Sequence, residues 1–371
     1  MRLAAPSGPA RGSPTGTPAH RGAVILLVLV TVMLTAFLLG RFIQRAGTEL
    51  LADAHASDQA RLRGEAYSAL EVALAVLADF RALDGALYSP AQGWADPLRY
   101  AGYEPAGRRV VEIHFEDESG KVSLPTLDQA ALQSVLEQAG LARREAELAS
   151  DAMLVWMRPD YTPASLENDA QRYERAALPH LPPQRSLASW HELAAIAQAR
   201  EYFYDESGQP NDRWRWLAAN LSLYAFNGSN LNTATPAALA AAGLSESQAA
   251  SLAQYLQAPV ASGGPRYFHS AAEANASAGV AGLPGKLSAV VQVLRIIVTV
   301  HDGAAVFRMS AVVTPPGGSV APLGATKGNA PAAAPDEKNA PVSVKKLDYP
   351  FRILDIHEDI APAEPPAEPV S

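Results

Sequence analysis

Cysteine is absent from the 371 residues. This excludes disulfides, thiolate metal sites and cysteine nucleophiles, and it leaves the compartment open, because cysteine-free chains occur on both sides of a membrane. Charge is sparse at 18% of residues and leans acidic, with a formal net charge of -8. Nucleic-acid binding works by neutralising phosphates, so an acidic chain of this kind is a poor fit to it. The histidines, at positions 20, 55, 114, 180, 191, 269, 301 and 357, form no HExxH pair and no tight His/Asp cluster. No Walker or Rossmann glycine pattern occurs either. An enzyme is therefore not expected. His191-Glu192 reads as helix capping, and Gly263-Gly264 near Arg266 reads as a loop. Apolar residues, by contrast, are plentiful at 48%. They are enough to pack one large folded unit or two to three smaller ones.

The most informative stretch is Ala23 to Gly40, AVILLVLVTVMLTAFLLG, which holds no charge. As a helix it rises ~27 Å, close to the ~30 Å of a bilayer core. Arg2, Arg11 and Arg21 precede it without any acid; Arg41 and Arg45 follow, then Glu49, Asp53 and Asp58. The acids favour an N-terminus on the cytoplasmic side. A cleaved secretory signal and a buried core helix compete with a membrane anchor. The run is long for a signal and lacks an Ala-x-Ala site before Gly40, and uninterrupted apolar runs of this length are rare in soluble domains. Phe42, Ile43, Leu50, Leu51, Leu62, Leu70, Leu74 and Leu77 continue at helical spacing to about Phe80, so one long helix is expected, with Gly64 a weak point.

Beyond it, Val111 to Phe115 alternates as a half-buried strand, and Glu116, Asp117 and Glu118 with Ser119-Gly120 form a turn. Leu127 to Ala149 is helical and broken at Gly140; Asp151 to Met157 is a further helical piece stopped by Pro159. The proline-rich 159–186 stretch is mostly loop, with a short helix around Ser165 to Ala177. Ser189 is an N-cap with Glu192 as its capping box, and Leu193 and Ile196 face inward. Asn232 to Gln257 is a helix-turn-helix in which Thr235 caps, Pro236 opens the helix, Gly243 turns and Ser245 starts the second helix. It is similar to the helix-hairpin-helix of DNA-binding proteins, but Leu231 to Val260 holds no Lys or Arg, which favours packing over DNA. Val290–Val300 and Ala304–Val313 form a hairpin around His301-Asp302-Gly303, and Val342 to Ile356 returns to strand character.

Arg21-Gly22-Ala23 ahead of the apolar run resembles a type IV prepilin signal, cut after the glycine and methylated on the new N-terminus. The fifth mature position, a recruiting glutamate in most such subunits, is Leu27. That absence, and the length, resemble the K-type minor pseudopilins of the type II secretion system. Six further pieces follow in order. His114 to Leu124 resembles the family's strand-turn, with Ser123 and Pro125 replacing asparagines. Leu154-Val155-Trp156 with Asp160 resembles its acidic helix end, with Arg158 in place of one acid. Glu167-Asn168-Asp169 with Tyr173, Leu187 to Leu193, Leu231 to Pro236, and Phe351-Arg352-Ile353-Leu354 complete the series.

The resemblance implies an α+β fold: a long N-terminal helix and a pilin-like domain with an antiparallel sheet, interrupted by a large all-α insertion. Its segments are a leader (1–22), a transmembrane helix (23–40) and an amphipathic extension (41–80). The pilin-like parts are 81–123 and 288–356, around a helical insertion at 124–287, with a Pro/Ala/Gly-rich linker at 315–341 and a disordered tail at 357–371. It also implies processing at Gly22/Ala23 by a prepilin peptidase, and structural calcium at Asp160, Glu167, Asn168 and Asp169. Asp205, Glu206, Asn211 and Asp212 form a second acidic loop, matching no EF-hand. The implied role is non-enzymatic, at the pseudopilus tip with minor pseudopilins I and J and the inner-membrane assembly platform, without nucleic acid. The chain would sit in the inner membrane of a Gram-negative bacterium by a single pass, with its C-terminal domain in the periplasm. The rival expectation is an unprocessed, membrane-anchored periplasmic adaptor or binding protein.

Overall fold

The structure, a computed structural model, describes residues 19–165, 181–258, 266–278, 286–316, 320–324 and 350–359. It divides into two units, Met1–Arg61 and Leu62–Ser371. Helix α1, Ala19–Asp84, begins in the first. There, Val24 to Ile43 leave every large apolar side chain at least half exposed. Two threonines in this apolar stretch satisfy themselves. Thr31 donates to the Leu27 and Val28 carbonyls, and Thr35 to those of Thr31 and Val32, so neither hydroxyl needs a partner outside the helix.

From Leu62 the same helix carries a buried face of Leu62, Ala66, Ala69, Leu70, Leu74 and Leu77, spaced three and four apart as an amphipathic helix requires. It passes through Gly64 and ends at Asp84, four residues beyond the expected Phe80. Its face packs on a four-stranded antiparallel sheet of β1 (Val110–Asp117), β2 (Leu294–Asp302), β3 (Ala305–Thr314) and β4 (Arg352–Asp359), in the order β1-β2-β3-β4. The strict alternation of Leu294, Ile296, Val298 and Val300 with half-buried neighbours sends one side of β2 to α1. Ile113 lies opposite Val298, and Val298 opposite Met309. A short helix α2, Pro97–Ala101, lies between α1 and β1.

Three boundaries differ from expectation. β2 starts at Leu294 rather than Val290, because the Val291 amide and the Val293 carbonyl hydrogen-bond outside the sheet, to Leu87 and Ser119. The hairpin loop is Gly303-Ala304 instead of His301-Asp302-Gly303, since His301 still pairs with Val306 and Asp302 with Ala305. β4 runs to Asp359, so 357–359 belong to the sheet and not to the tail. Glu358 explains this: it accepts from Arg63 Nε at 2.8 Å and Tyr67 Oη at 2.7 Å, both on α1.

Those two hydrogen bonds hold the Glu358 carboxyl below its ordinary range. Glu65 is similar. Burial pushes it up, but Tyr103 Oη at 2.5 Å, Arg109 at 2.7 Å and the Ala106 amide outweigh that and leave it depressed. A carboxylate depressed on folding contributes stability that is present above its unfolded value and lost as pH falls through its folded value. Glu65→Gln should therefore flatten the fall in thermal midpoint below about pH 4.5, the upper edge of the glutamate range, and lower the midpoint at pH 7. Thermal melts across that range check it.

Between β1 and β2 lie helices α3 (Gln129–Gln138), α4 (Arg143–Met157), α5 (Ala197–Phe203), α6 (Asp212–Asn220), α7 (Pro236–Ala241), α8 (Glu246–Gln257) and α9 (Ala271–Ser277). The α+β class with a helical insertion is what the structure has. Gly140, at φ 89°, separates α3 from α4. α4 then runs unbroken through Asp151, where two pieces were expected. Leu132, Leu136, Met153, Leu154, Leu193, Ile196, Phe203 and Leu217 form its core. Ser189 does cap, but it caps a 3-10 turn, Trp190–Ala195. The expected capping box is absent, because Glu192 turns instead to Arg185 at 3.0 Å and to the Ala188 amide. The short helix expected after Ser165 lies outside the described residues.

Candidate functional site

Two features stand out as sites: a polar hub and the bare helix. The hub is built on the Leu231–Pro236 stretch. Asn230 donates to Asp117 Oδ2 at 2.7 Å and to the Tyr88 carbonyl. Thr233 donates to the same Asp117 oxygen at 2.5 Å, while Ser119 supplies its amide and hydroxyl to Oδ1. Asn232 donates to the carbonyls of Phe268 and Ala289, both at 2.9 Å, and accepts from the Phe268 amide at 2.7 Å. One asparagine thus joins three chain segments. Desolvation pushes the Asp117 carboxyl up, against the pull of its Ser119, Thr233 and Asn230 donors.

The hub leaves no space for a side chain at Gly120, where a Cβ would stand 2.5 Å from the Thr233 carbonyl. Beside it, Lys121 bridges Glu116 at 2.5 Å and Glu118 at 3.6 Å, and Arg295 reaches Glu118 at 2.7 Å. Burial alone would raise the Glu116 carboxyl, but the Lys121 and Arg295 cations hold it below its ordinary range. Glu116 and Glu118 thus form structural ion pairs, while Asp117 is held by neutral donors. The sequence reading had them in a turn; Glu116 and Asp117 stay in β1, and only Glu118–Gly120 turns.

The candidate calcium residues are only partly in view. Asp160 is exposed, and Glu167, Asn168 and Asp169 lie outside the described residues. The loop that leads toward them is anchored by a residue the sequence reading missed. Asp151, fully buried on α4, accepts from Tyr161 Oη and from the Ala164 and Ser165 amides. In the second acidic loop Asp205 accepts from the Ser207 and Gln209 amides, and Asn211 caps α6, so these groups serve the backbone. Among the described residues no three His, Asp or Glu side chains are grouped to hold a metal.

The other feature is the first-unit stretch of α1. It is long and apolar enough to cross a membrane, and none of its most apolar window is buried. Leu27 lies in it, 66% exposed. Gly22 and Ala23 lie on its helical backbone.

No protein-family model matches the chain, and no curated protein matches it in sequence. A solved structure does match in shape. It is a chain in the crystal structure of the GspK-GspI-GspJ complex from the Type 2 Secretion System of enterotoxigenic Escherichia coli, with a TM-score of 0.54. The match covers 84% of this chain and 99% of that one, at 13% sequence identity. The fold is shared. At that identity nothing further is carried over by the match itself.

Proposed function

We propose that the chain is a non-enzymatic structural subunit of a type II secretion pseudopilus, placed at its tip with minor pseudopilins I and J, supporting assembly and protein export across the outer membrane. The observation that carries this reading is a long helix with its large apolar side chains exposed, leading into an α+β unit whose fold is that of a chain from the GspK-GspI-GspJ complex. A filament built from bundled helices needs such a bare helix, and the same helix anchors the subunit in the inner membrane beforehand. Leu27 supports an end position, because it offers no carboxylate to a neighbour's N-terminal amine.

The reading requires processing. Mass spectrometry of the membrane-extracted protein should show loss of residues 1–22 and a methylated Ala23, and Gly22→Trp should block both. An intact Met1 would sink the proposal in favour of an unprocessed adaptor. Calcium at Asp160, Glu167, Asn168 and Asp169 is part of the same proposal. Calorimetric titration of the full chain should give binding heat that is lost when Asp160 and Asp169 are both changed to Ala.

A further inference from the structure

The residues from Ser229 to Ala289 carry a core of their own: Leu231, Leu239, Leu244, Leu252, Phe268 and Leu287. Two internal ties close it, the pairing of Ser229–Asn230 with Leu287–Ser288 and the Asn232 bonds to Phe268 and Ala289. Its attachment to the rest of the second unit is of another kind. On one side it is polar: Asn230 and Thr233 on Asp117, the Thr235 amide on the Gly120 carbonyl at 2.9 Å, and Ser229 Oγ on the Lys121 carbonyl at 2.9 Å. Tyr88, whose carbonyl accepts from Asn230, also sets its ring against Tyr267 and His269. On the other side the attachment is apolar but slight, through Ala234, Ala238 and Ala241 against the α3–α4 core.

Two clefts of the second unit fall on this seam. One, of about 390 Å³, lies between Ser123, Leu127 and Ala131 on one bank and Ala238 and Ala241 on the other. The second, of about 280 Å³, lies between Trp94 and Asp117 and the facing Thr233 and Thr235. Protein interiors are close-packed, and atoms lining a void lose dispersion contacts on that side. A joint bordered by two clefts, and held away from its polar pin only by small apolar side chains, buries little apolar surface there.

We propose that α7 to α9 form a hinged body that swings on the pin from Asp117 to Thr235 and opens the 390 Å³ cleft, while the sheet and α3–α4 stay closed. The pin lets the body rotate without losing its anchor, and the alanine contacts are the ones released. Opening uncovers Leu127 and Phe226 in the cleft wall. The inference rests on the packing of this unit and holds whether or not the chain enters a filament.

Hydrogen exchange followed by mass spectrometry on the full chain in detergent tests it. Amides of α7, α8 and α9 should exchange as one group, about tenfold or more faster than those of α3 and α4. Gly120→Ala drives a methyl into the Thr233 carbonyl and should speed that group further, leaving α3 and α4 unchanged. Thr233→Val, a gentler loosening of the pin, should do the same to a smaller degree. The hinge is overturned if α7–α9 are as protected as α3–α4 in the unmodified chain. It is equally overturned if both variants raise exchange evenly across the second unit.

Discussion

Truncating Asn232 to alanine should destabilise the second unit by about 3–5 kcal/mol. The side chain satisfies the amide and carbonyl of Phe268 and the carbonyl of Ala289, and Phe268 itself is fully buried. Removing the amide leaves three main-chain groups without partners, and each unsatisfied buried group costs about 1–3 kcal/mol. Partial entry of water keeps the sum toward the lower end. Asn232→Asp should rescue little, because it keeps an acceptor for the Phe268 amide but replaces the donor with a charge facing two carbonyls. Urea unfolding of the full chain in detergent, followed by far-UV circular dichroism, measures the effect. Asn227→Ala, at an exposed position outside the hub, serves as the control and should stay within about 0.5 kcal/mol of the unmodified chain. A loss below about 1 kcal/mol for Asn232→Ala would mean that the hub does not hold the α7–α9 body together.

Much of this neighbourhood was legible in the sequence because it follows local rules. Thr235 caps α7 by accepting from the Ala238 amide, Pro236 takes the first helical position, Gly243 turns at φ 96° and Ser245 caps α8 through a capping box with Gln248. Each of those signals acts over a few residues. What stayed hidden depends on partners far away in the chain. Asp117, in a run of three acids, reads as the edge of a solvated turn until Asn230 and Thr233 are brought to it across more than a hundred residues. Glu192 has the right spacing for a capping box, yet Arg185 offers a charge-assisted partner that a cap cannot match. The strand character of 357–359 could not be read from a polar, acidic segment; it comes from Arg63 and Tyr67 on α1. The hub's one local clue was the Asp117-x-Ser119 spacing, in which a side-chain carboxylate caps the amide two residues on.

The bare helix invites the second large effect. Val30→Arg combined with Leu34→Arg should release the chain from the membrane. Twelve Val, Ile, Leu and Phe residues lie between Ala23 and Gly40. At about 0.3–0.6 kcal/mol each near the bilayer centre they favour insertion by about 4–7 kcal/mol. Each arginine placed near mid-span costs about 3 kcal/mol, and the pair also removes two favourable residues, so the balance falls to near zero or below. Both positions belong to the first unit, where Val30 and Leu34 are more than half exposed. Folding of that unit should therefore survive, as judged by an unchanged urea midpoint. Alkaline extraction of membranes separates the cases: the unmodified chain should stay in the pellet, the double-arginine chain should move to the supernatant, and Val30→Ala with Leu34→Ala should remain pelleted. An unmodified chain found in the supernatant would instead identify α1's apolar stretch as a cleaved signal. It would then remove the membrane anchor on which both the filament reading and its adaptor rival depend.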